Sequence, residues 1–269
     1  MKILFLGDIV GNSGCQAIKD NLPSIIKNKK IDFVVVNGEN AADPGVGITR
    51  KNVDDILKAG ADVITTGNHV WDQKETVNFI SSERRLLRPE NLHKESPGIG
   101  FDIYNAKNNK KVAVLNLMGN VAMKKCDDVF YAAQKFIQSV RLKKEADFIV
   151  VDIHAEMTSE KMAIGHLFNG KATMVVGTHT HVPTLDFIIM DKGTAYQTDT
   201  GMCGDYNSVI GMNKDNSLKK FLKDPSYTRL SPALGEATIS GLIVEADNET
   251  GLAKKIEPVI SGGILDGII

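Results

Sequence analysis

This 269-residue chain has no long hydrophobic run, no paired cysteines and no surplus of either charge. Its apolar opening, Met1 to Leu6, is interrupted by Asp8 after a few residues, too short for a signal-peptide core or a spanning helix. A cytoplasmic location without a membrane partner is therefore expected. Lysine and arginine (32) nearly balance aspartate and glutamate (33), which excludes a global field that would gather nucleic acid or an anionic membrane. No extended nucleic-acid surface is expected, and any anionic ligand must be drawn in by local charge. Cys15, Cys126 and Cys203 are odd in number and widely separated, which excludes a disulfide framework and a cysteine zinc site. They are expected to be reduced and structural. There is no Pro-, Gly- or Ser-rich linker, internal repeat or low-complexity block, so residues 1–269 are expected to form one domain.

What the sequence does have is alternation. Val- and Ile-rich runs predict strands over Lys2–Leu6, Asp32–Val36, Asp62–Thr65, Val112–Leu117, Phe148–Ile153 and Thr173–Val176. Most are near-continuously apolar, as strands buried on both faces require. Helical patterns lie between them, over Cys15–Lys27, Arg50–Ala59, Lys74–Ser81, Tyr131–Lys144 and Ser159–Phe168, with Thr49 and Thr158 or Ser159 placed as N-caps. The class is α/β. Beyond Gly193 come Thr194–Thr198, an irregular stretch from Gly201 to Pro232, and strand-like runs over Ala237–Glu245 and Lys255–Ile260, expected to complete a second sheet. The long segments Ser82–Gly100 and Gly204–Pro232 are expected to act as lids, binding loops or interface elements.

The chemistry gathers where predicted strands end. Gly7-Asp8 follows the first strand, Gly38-Glu39-Asn40 the second and Gly67-Asn68-His69 the third; Asp152-Ile153-His154 closes a later one, and Thr178-His179-Thr180-His181 follows the next. In an open α/β sheet the carboxyl ends of strands share one edge, so these residues are expected to converge. Each motif has a plainer reading alone: an N-capping aspartate, turn residues, a core histidine. Glu39, however, follows the apolar run Phe33–Val36, where a carboxylate is costly unless paired or bound to metal. His179 and His181, two residues apart in a strand-end turn, are a common way to present imidazoles to neighbouring ions. The joint occurrence favours a binuclear centre, which needs about six to eight protein ligands. Two divalent ions with only Asp8 and Glu39 to neutralise them stay cationic, which supplies the local attraction for a phosphate. The spacing of Gly7, Gly11 and Gly14 lacks the Lys-Ser/Thr ending of a nucleotide-phosphate loop. His93 and His166 receive no role.

Together these motifs resemble the calcineurin-like metallophosphoesterase superfamily, with two departures. Its Asp-x-His opening reads Asp8-Ile9-Val10, and its bridging aspartate is Glu39. Both departures, with Asn37-Gly38-Glu39-Asn40-Ala41-Ala42, His154-Ala155-Glu156, Thr158-Ser159-Glu160-Lys161 and Gly193-Thr194-Ala195-Tyr196, resemble the YmdB-like bacterial phosphodiesterases over nearly the whole chain.

That resemblance implies two packed β-sheets flanked by helices, a four-layer sandwich. It implies that Glu39 bridges two metals, that Asp8, Asn40 and His181 complete one site, and that Asn68, His154 and His179 complete the other. It implies iron or manganese, with zinc also acceptable to such donors, a small phosphodiester or 2′,3′-cyclic nucleotide substrate, and a homo-oligomer. The expected reaction is attack on phosphorus by a hydroxide held between the metals, with His69 as general acid. Two alternatives share the same donors: a phosphomonoesterase or nucleotidase, and a metal-dependent nucleotide-binding regulator with little turnover.

Overall fold

The computed structural model describes residues 1–267. Its first half runs β1 (Lys2–Leu6), β2 (Asp8–Ile9), α1 (Gly11–Lys29), β3 (Phe33–Asn37), α2 (Arg50–Lys58), β4 (Val63–Thr65), α3 (Thr76–Phe79), β5 (Phe101–Asn105), β6 (Lys111–Met118) and α4 (Val129–Ser139). Then follow β7 (Phe148–His154), α5 (Thr158–Phe168), β8 (Met174–Thr178), β9 (Ile188–Ile189), β10 (Ala195–Gln197), β11 (Met202–Cys203), α6 (Lys214–Phe221), β12 (Ile239–Ala246) and β13 (Ala253–Ser261). One sheet has the order β13-β12-β1-β3-β4 and a second β5-β6-β7-β8-β10-β9, while β2 pairs with β11 alone.

Alternation along each strand sorts side chains between the layers. In the first sheet Leu4, Leu6, Val34, Val36 and Ile64 face Ile18 and Leu22 of α1 and Val53 and Ile56 of α2. In the second, Leu115, Leu117, Ile149, Val151 and Ile153 face Phe136 of α4 and Ile164 and Phe168 of α5. The alternate residues, Ile3, Phe5, Phe33, Val35, Val112, Val114, Phe148, Val150, Met174 and Val176, meet between the sheets. The expected helix–sheet–sheet–helix layering results. Phe5, Phe33 and Phe148 are fully buried there, each contributing roughly 1.5–3 kcal/mol of apolar burial.

Several expectations are corrected. The late strands β12 and β13 join the first sheet, not the second, with β12 antiparallel to β1 from Lys2↔Glu245 to Leu6↔Gly241. Leu242 and Val244 thereby enter the core between the sheets, whereas the second sheet is closed at its edges by β5 and β9. Helix α5 has Met157 as N-cap, without a side-chain cap. Thr158 is already helical, and the Met157 carbonyl accepts the Glu160 and Lys161 amides. The helix expected at Lys74–Ser81 is the short α3 with a 3₁₀ turn after it. The segment Gly204–Pro232 contains α6, capped by the Asn213 side chain. The segment Ser82–Gly100 packs inward through Leu86 and Leu87, and the Arg88 guanidinium donates to the carbonyls of Pro97, Pro89 and Glu90. Among the described residues no helix is long and apolar enough to cross a membrane.

Thr49 caps α2 as expected. Its hydroxyl accepts the Asn52 amide at 3.2 Å, and Asn52 Oδ1 accepts the Thr49 amide at 3.0 Å. Thr49→Ala is expected to cost about 1 kcal/mol, seen in urea denaturation as a lower midpoint with an unchanged slope.

Candidate metal centre

Strands β1, β3 and β4 are mutually parallel, as are β6, β7, β8 and β10, so the two sheets offer their carboxyl ends to a common site. Asp8, Glu39, Asn40 and Asn68 come from the first sheet's strand ends, and His154, His179 and His181 from those of the second. Asp8, Glu39 and His154 are completely buried; Asn40 and His181 are nearly so. Asn68 and His179 are half-buried at the mouth. Among the described His, Cys, Asp and Glu residues, Glu39, His154 and His179 form a group whose ligand atoms all lie within 4.8 Å of one another.

Each histidine is held by the ring nitrogen that faces away from the centre. Thr178 donates its hydroxyl proton to Asp152 Oδ1 at 2.7 Å, so its oxygen must accept from His154 Nδ1 at 2.9 Å. His181 Nδ1 donates to the Ile210 carbonyl at 2.8 Å. His179 Nε2 faces the Glu156 carboxylate at 3.1 Å. The remaining nitrogens, His154 Nε2, His179 Nδ1 and His181 Nε2, therefore carry lone pairs. Outer hydrogen bonds of this kind fix ligand histidines in metal sites.

These lone pairs meet further acceptors. His154 Nε2 lies 3.1 Å from Asn68 Oδ1 and 3.1 Å from His179 Nδ1, and it abuts Glu39 Oε2. His181 Nε2 lies 3.9 Å from Asp8 Oδ1, but it also accepts a hydrogen bond from Asn40 Nδ2 at 3.3 Å. Asp8 Oδ1, Glu39 Oε2 and Asn40 Oδ1 are buried with no hydrogen-bond donor. Their other oxygens are not all idle: Asp8 Oδ2 accepts the His179 amide and Glu39 Oε1 the His69 amide. A buried acceptor without a donor costs free energy, and oxygen and imidazole donors crowded around one space suit a transition-metal cation. The residues fit the implied group. Gly67 makes room for it, since a Cβ there would meet Glu39 Oε2 and the His154 ring.

Desolvation dominates the electrostatics. Burial raises the carboxyls of Asp8 and Glu39, and it pushes the His154 imidazole down to about 3 and that of His179 down likewise. Asp152 is also raised, to about 7, by burial. It lies one pleat below His154 on the inner face, where Thr65, Asn37 and Thr178 already donate to it. Although metal-competent by type, it is a hydrogen-bonded support. The cysteines behave as expected: all three are free, and burial raises their thiols, to about 11, 11 and 12.

His69 stands beside the cluster, 30% exposed, with Nδ1 2.6 Å from Asp72 Oδ2. Lys124 Nζ donates to the Asn68 carbonyl at 2.7 Å and lies 3.2 Å from Asp72 Oδ1. Burial works to raise the Asp72 carboxyl, but the bonds and charges of His69 and Lys124 outweigh it and hold the group below its ordinary value. Asp72, Lys124, Glu156 and the Ile210 carbonyl are supports that sequence reasoning missed. Asp72, three residues after His69, and Glu156, in the motif His154-Ala155-Glu156, carried a local signal.

The family described as YmdB-like protein matches residues 4–259. The chain is 42% identical over 260 residues to a Bacillus subtilis protein named 2′,3′-cyclic-nucleotide 2′-phosphodiesterase, covering 97% of each. A crystal structure of a hypothetical protein from Thermus thermophilus superposes with a TM-score of 0.89 at 36% identity, covering 98% of this chain and 100% of that one. A Mycoplasma pneumoniae structure, described as a novel phosphatase, also has a TM-score of 0.89, at 35% identity, covering 97% and 93%.

The pKa shifts set a pH dependence. A carboxyl raised on folding stabilises the metal-free protein below its unfolded value and loses that contribution as pH rises through its folded value; for Asp152 the window is 3.8 to about 7. The lowered His154 and His179 stabilise it above 6.5 and lose that contribution as pH falls. A cation needs the carboxylates ionised and the imidazoles neutral. The rise in melting temperature caused by added manganese should therefore be larger at about pH 8 than at about pH 5; in differential scanning fluorimetry, a rise that shrank with pH would contradict the donor set.

Proposed function

Because the chain belongs to the YmdB-like family, we propose that it hydrolyses 2′,3′-cyclic nucleotides at a two-metal centre. Asp8, Asn40 and His181 hold one ion, Asn68, His154 and His179 the other, and Glu39 is shared. The observation that carries this reading is the set of three donorless buried oxygens facing three imidazole lone pairs. The chain is a phosphodiesterase; the cyclic nucleotide is taken from the name of the Bacillus subtilis relative. Iron or manganese held here would supply Lewis acidity toward the phosphoryl oxygens and would acidify water.

The chain's own groups do the rest. The His69 amide is fixed on Glu39 Oε1 at 3.0 Å, which ties the acid to the shared carboxylate. Asp72 accepts from His69 Nδ1 and so orients the ring, leaving Nε2 as the nitrogen for proton transfer. The proton to be given to the departing ribose oxygen then sits on Nε2. Lys124 bonds both Asp72 and the Asn68 carbonyl, so the support of the acid is tied to the turn that carries Asn68. The Mycoplasma pneumoniae neighbour described as a phosphatase favours testing monoesters beside diesters.

Glu39→Gln should abolish turnover and two-ion binding together. His69→Ala is expected to lower kcat on a 2′,3′-cyclic nucleotide by about 10²–10⁴-fold and to do less harm on a nitrophenyl phosphodiester, whose leaving group needs no proton. Equal losses on both would remove His69 from the acid role. Faster turnover of monoesters than of cyclic nucleotides by the metal-loaded protein would replace the diesterase reading with a phosphatase.

A further inference from the structure

We propose that the buried Lys161–Asp199 ion pair is the positioning device that presents His179 and His181 to their two ions, an inference that rests on the metal assignment above. Lys161 lies in the first turn of α5 and is 1% exposed, and Asp199 is wholly buried. Their charged atoms are 2.8 Å apart. A buried ion pair is a weak source of stability, since apolar residues of similar volume often do as well. Its placement gives it another use.

Asp199 is organised around Thr180, the residue between the two histidines. Its Oδ2 accepts the Thr180 amide at 3.1 Å and the Thr180 hydroxyl at 2.6 Å, while Oδ1 accepts the Gly201 amide at 2.8 Å. Lys161 Nζ lies 3.3 Å from Thr180 Oγ1 as well. On either side of Thr180 the backbone is left-handed, with φ of 94° at His179 and 65° at His181. Such conformations cost non-glycine residues about 1–3 kcal/mol each and persist only where the surroundings enforce them. The contacts on Thr180 are that enforcement.

The strained turn has a chemical result. His179 is delivered beside His154, and His181 beside Asn40 and Asp8. A relaxed turn would withdraw a ligand from each ion. The lysine reaches Asp199 past Gly177 of β8, where a Cβ would meet the Lys161 side chain and the Thr198 carbonyl. Glu160, the preceding residue, accepts the Asn120 amide at 2.8 Å, so the start of α5 fastens two neighbouring loops of the site.

The test is a manganese titration of metal-free protein, followed by the electron paramagnetic resonance of free and spin-coupled ions, with thermal melting of the same metal-free samples. Wild type should bind two ions, and His181→Ala should lose one. Lys161→Met, and the double variant Lys161→Met/Asp199→Asn that leaves no uncompensated buried charge, should bind both ions about 10- to 100-fold more weakly. The coupled-pair signal should fade while the double variant melts near wild type. Thr180→Val, which keeps the ion pair, should weaken both ions by a smaller factor. Wild-type affinity in any folded variant, or loss of only one ion, overturns the proposal. Wild type that binds no pair of ions overturns the metal reading with it.

Discussion

The centre of the candidate site is crowded with buried acceptors that have few donors among the described residues, one of those donors being the Asn40 amide, which donates to His181 Nε2 at 3.3 Å. Asp8, Glu39 and Asn40 each bury an oxygen there without a donor, and the three histidines have their protons drawn outward by Thr178, Glu156 and Ile210. Lone pairs so gathered repel one another and have lost their water, a cost that only positive charge relieves. A proton relieves it in part, as the raised carboxyls of Asp8 and Glu39 record. A multivalent cation relieves it more fully. The parallel strands, the missing Cβ at Gly67 and the outward bonds all serve to hold this concentration of acceptors in place.

Below the cluster, the same alternation that builds the apolar core places polar residues where the apolar ones stop. Phe33 and Val35 lead to Asn37, Val63 to Thr65, Phe148 and Val150 to Asp152, and Met174 and Val176 to Thr178. Asn37 and Thr65 of one sheet donate to Asp152 of the other, so a hydrogen-bonded plug joins the sheets between the hydrophobic core and the candidate site. The site is therefore seated on rigid sheet and not on loop alone, which is how precise ligand geometry is maintained.

The residues at strand ends were legible in sequence because strand and function share one grammar: an apolar run announces the strand, and a glycine followed by Asp, Glu, Asn or His announces what it presents. Asp8, Glu39 and Asn68 were read that way, and Asn40, His154, His179 and His181 from strand ends without a glycine immediately before them; the seven lie at one edge. Residues whose importance comes from partners distant in the chain were not legible. Lys161 belongs to a motif that carries the family resemblance but shows no role until Asp199 is seen beside it, and Lys124 reads as a loop charge until it meets Asn68 and Asp72. Strand order was hidden for the same reason. The run from Ile239 to Ala246 has a strand pattern, but nothing local says that its neighbour is β1.

That neighbour relation joins the beginning of the chain to its end. β1 lies between β12 and β3, and the amide of Gly7, immediately before Asp8, is fastened to the Ser240 carbonyl at 3.0 Å. Asp8, the first of the proposed ligands to leave the ribosome, thus follows a residue secured by one of the last strands to be made. Until β12 emerges, β1 has an open edge, and Asp8 waits on a strand paired along one side only. The backbone around Asp8 consequently gains its second neighbour only when residues 239–246 have been made, which ties the start of the chain to its end.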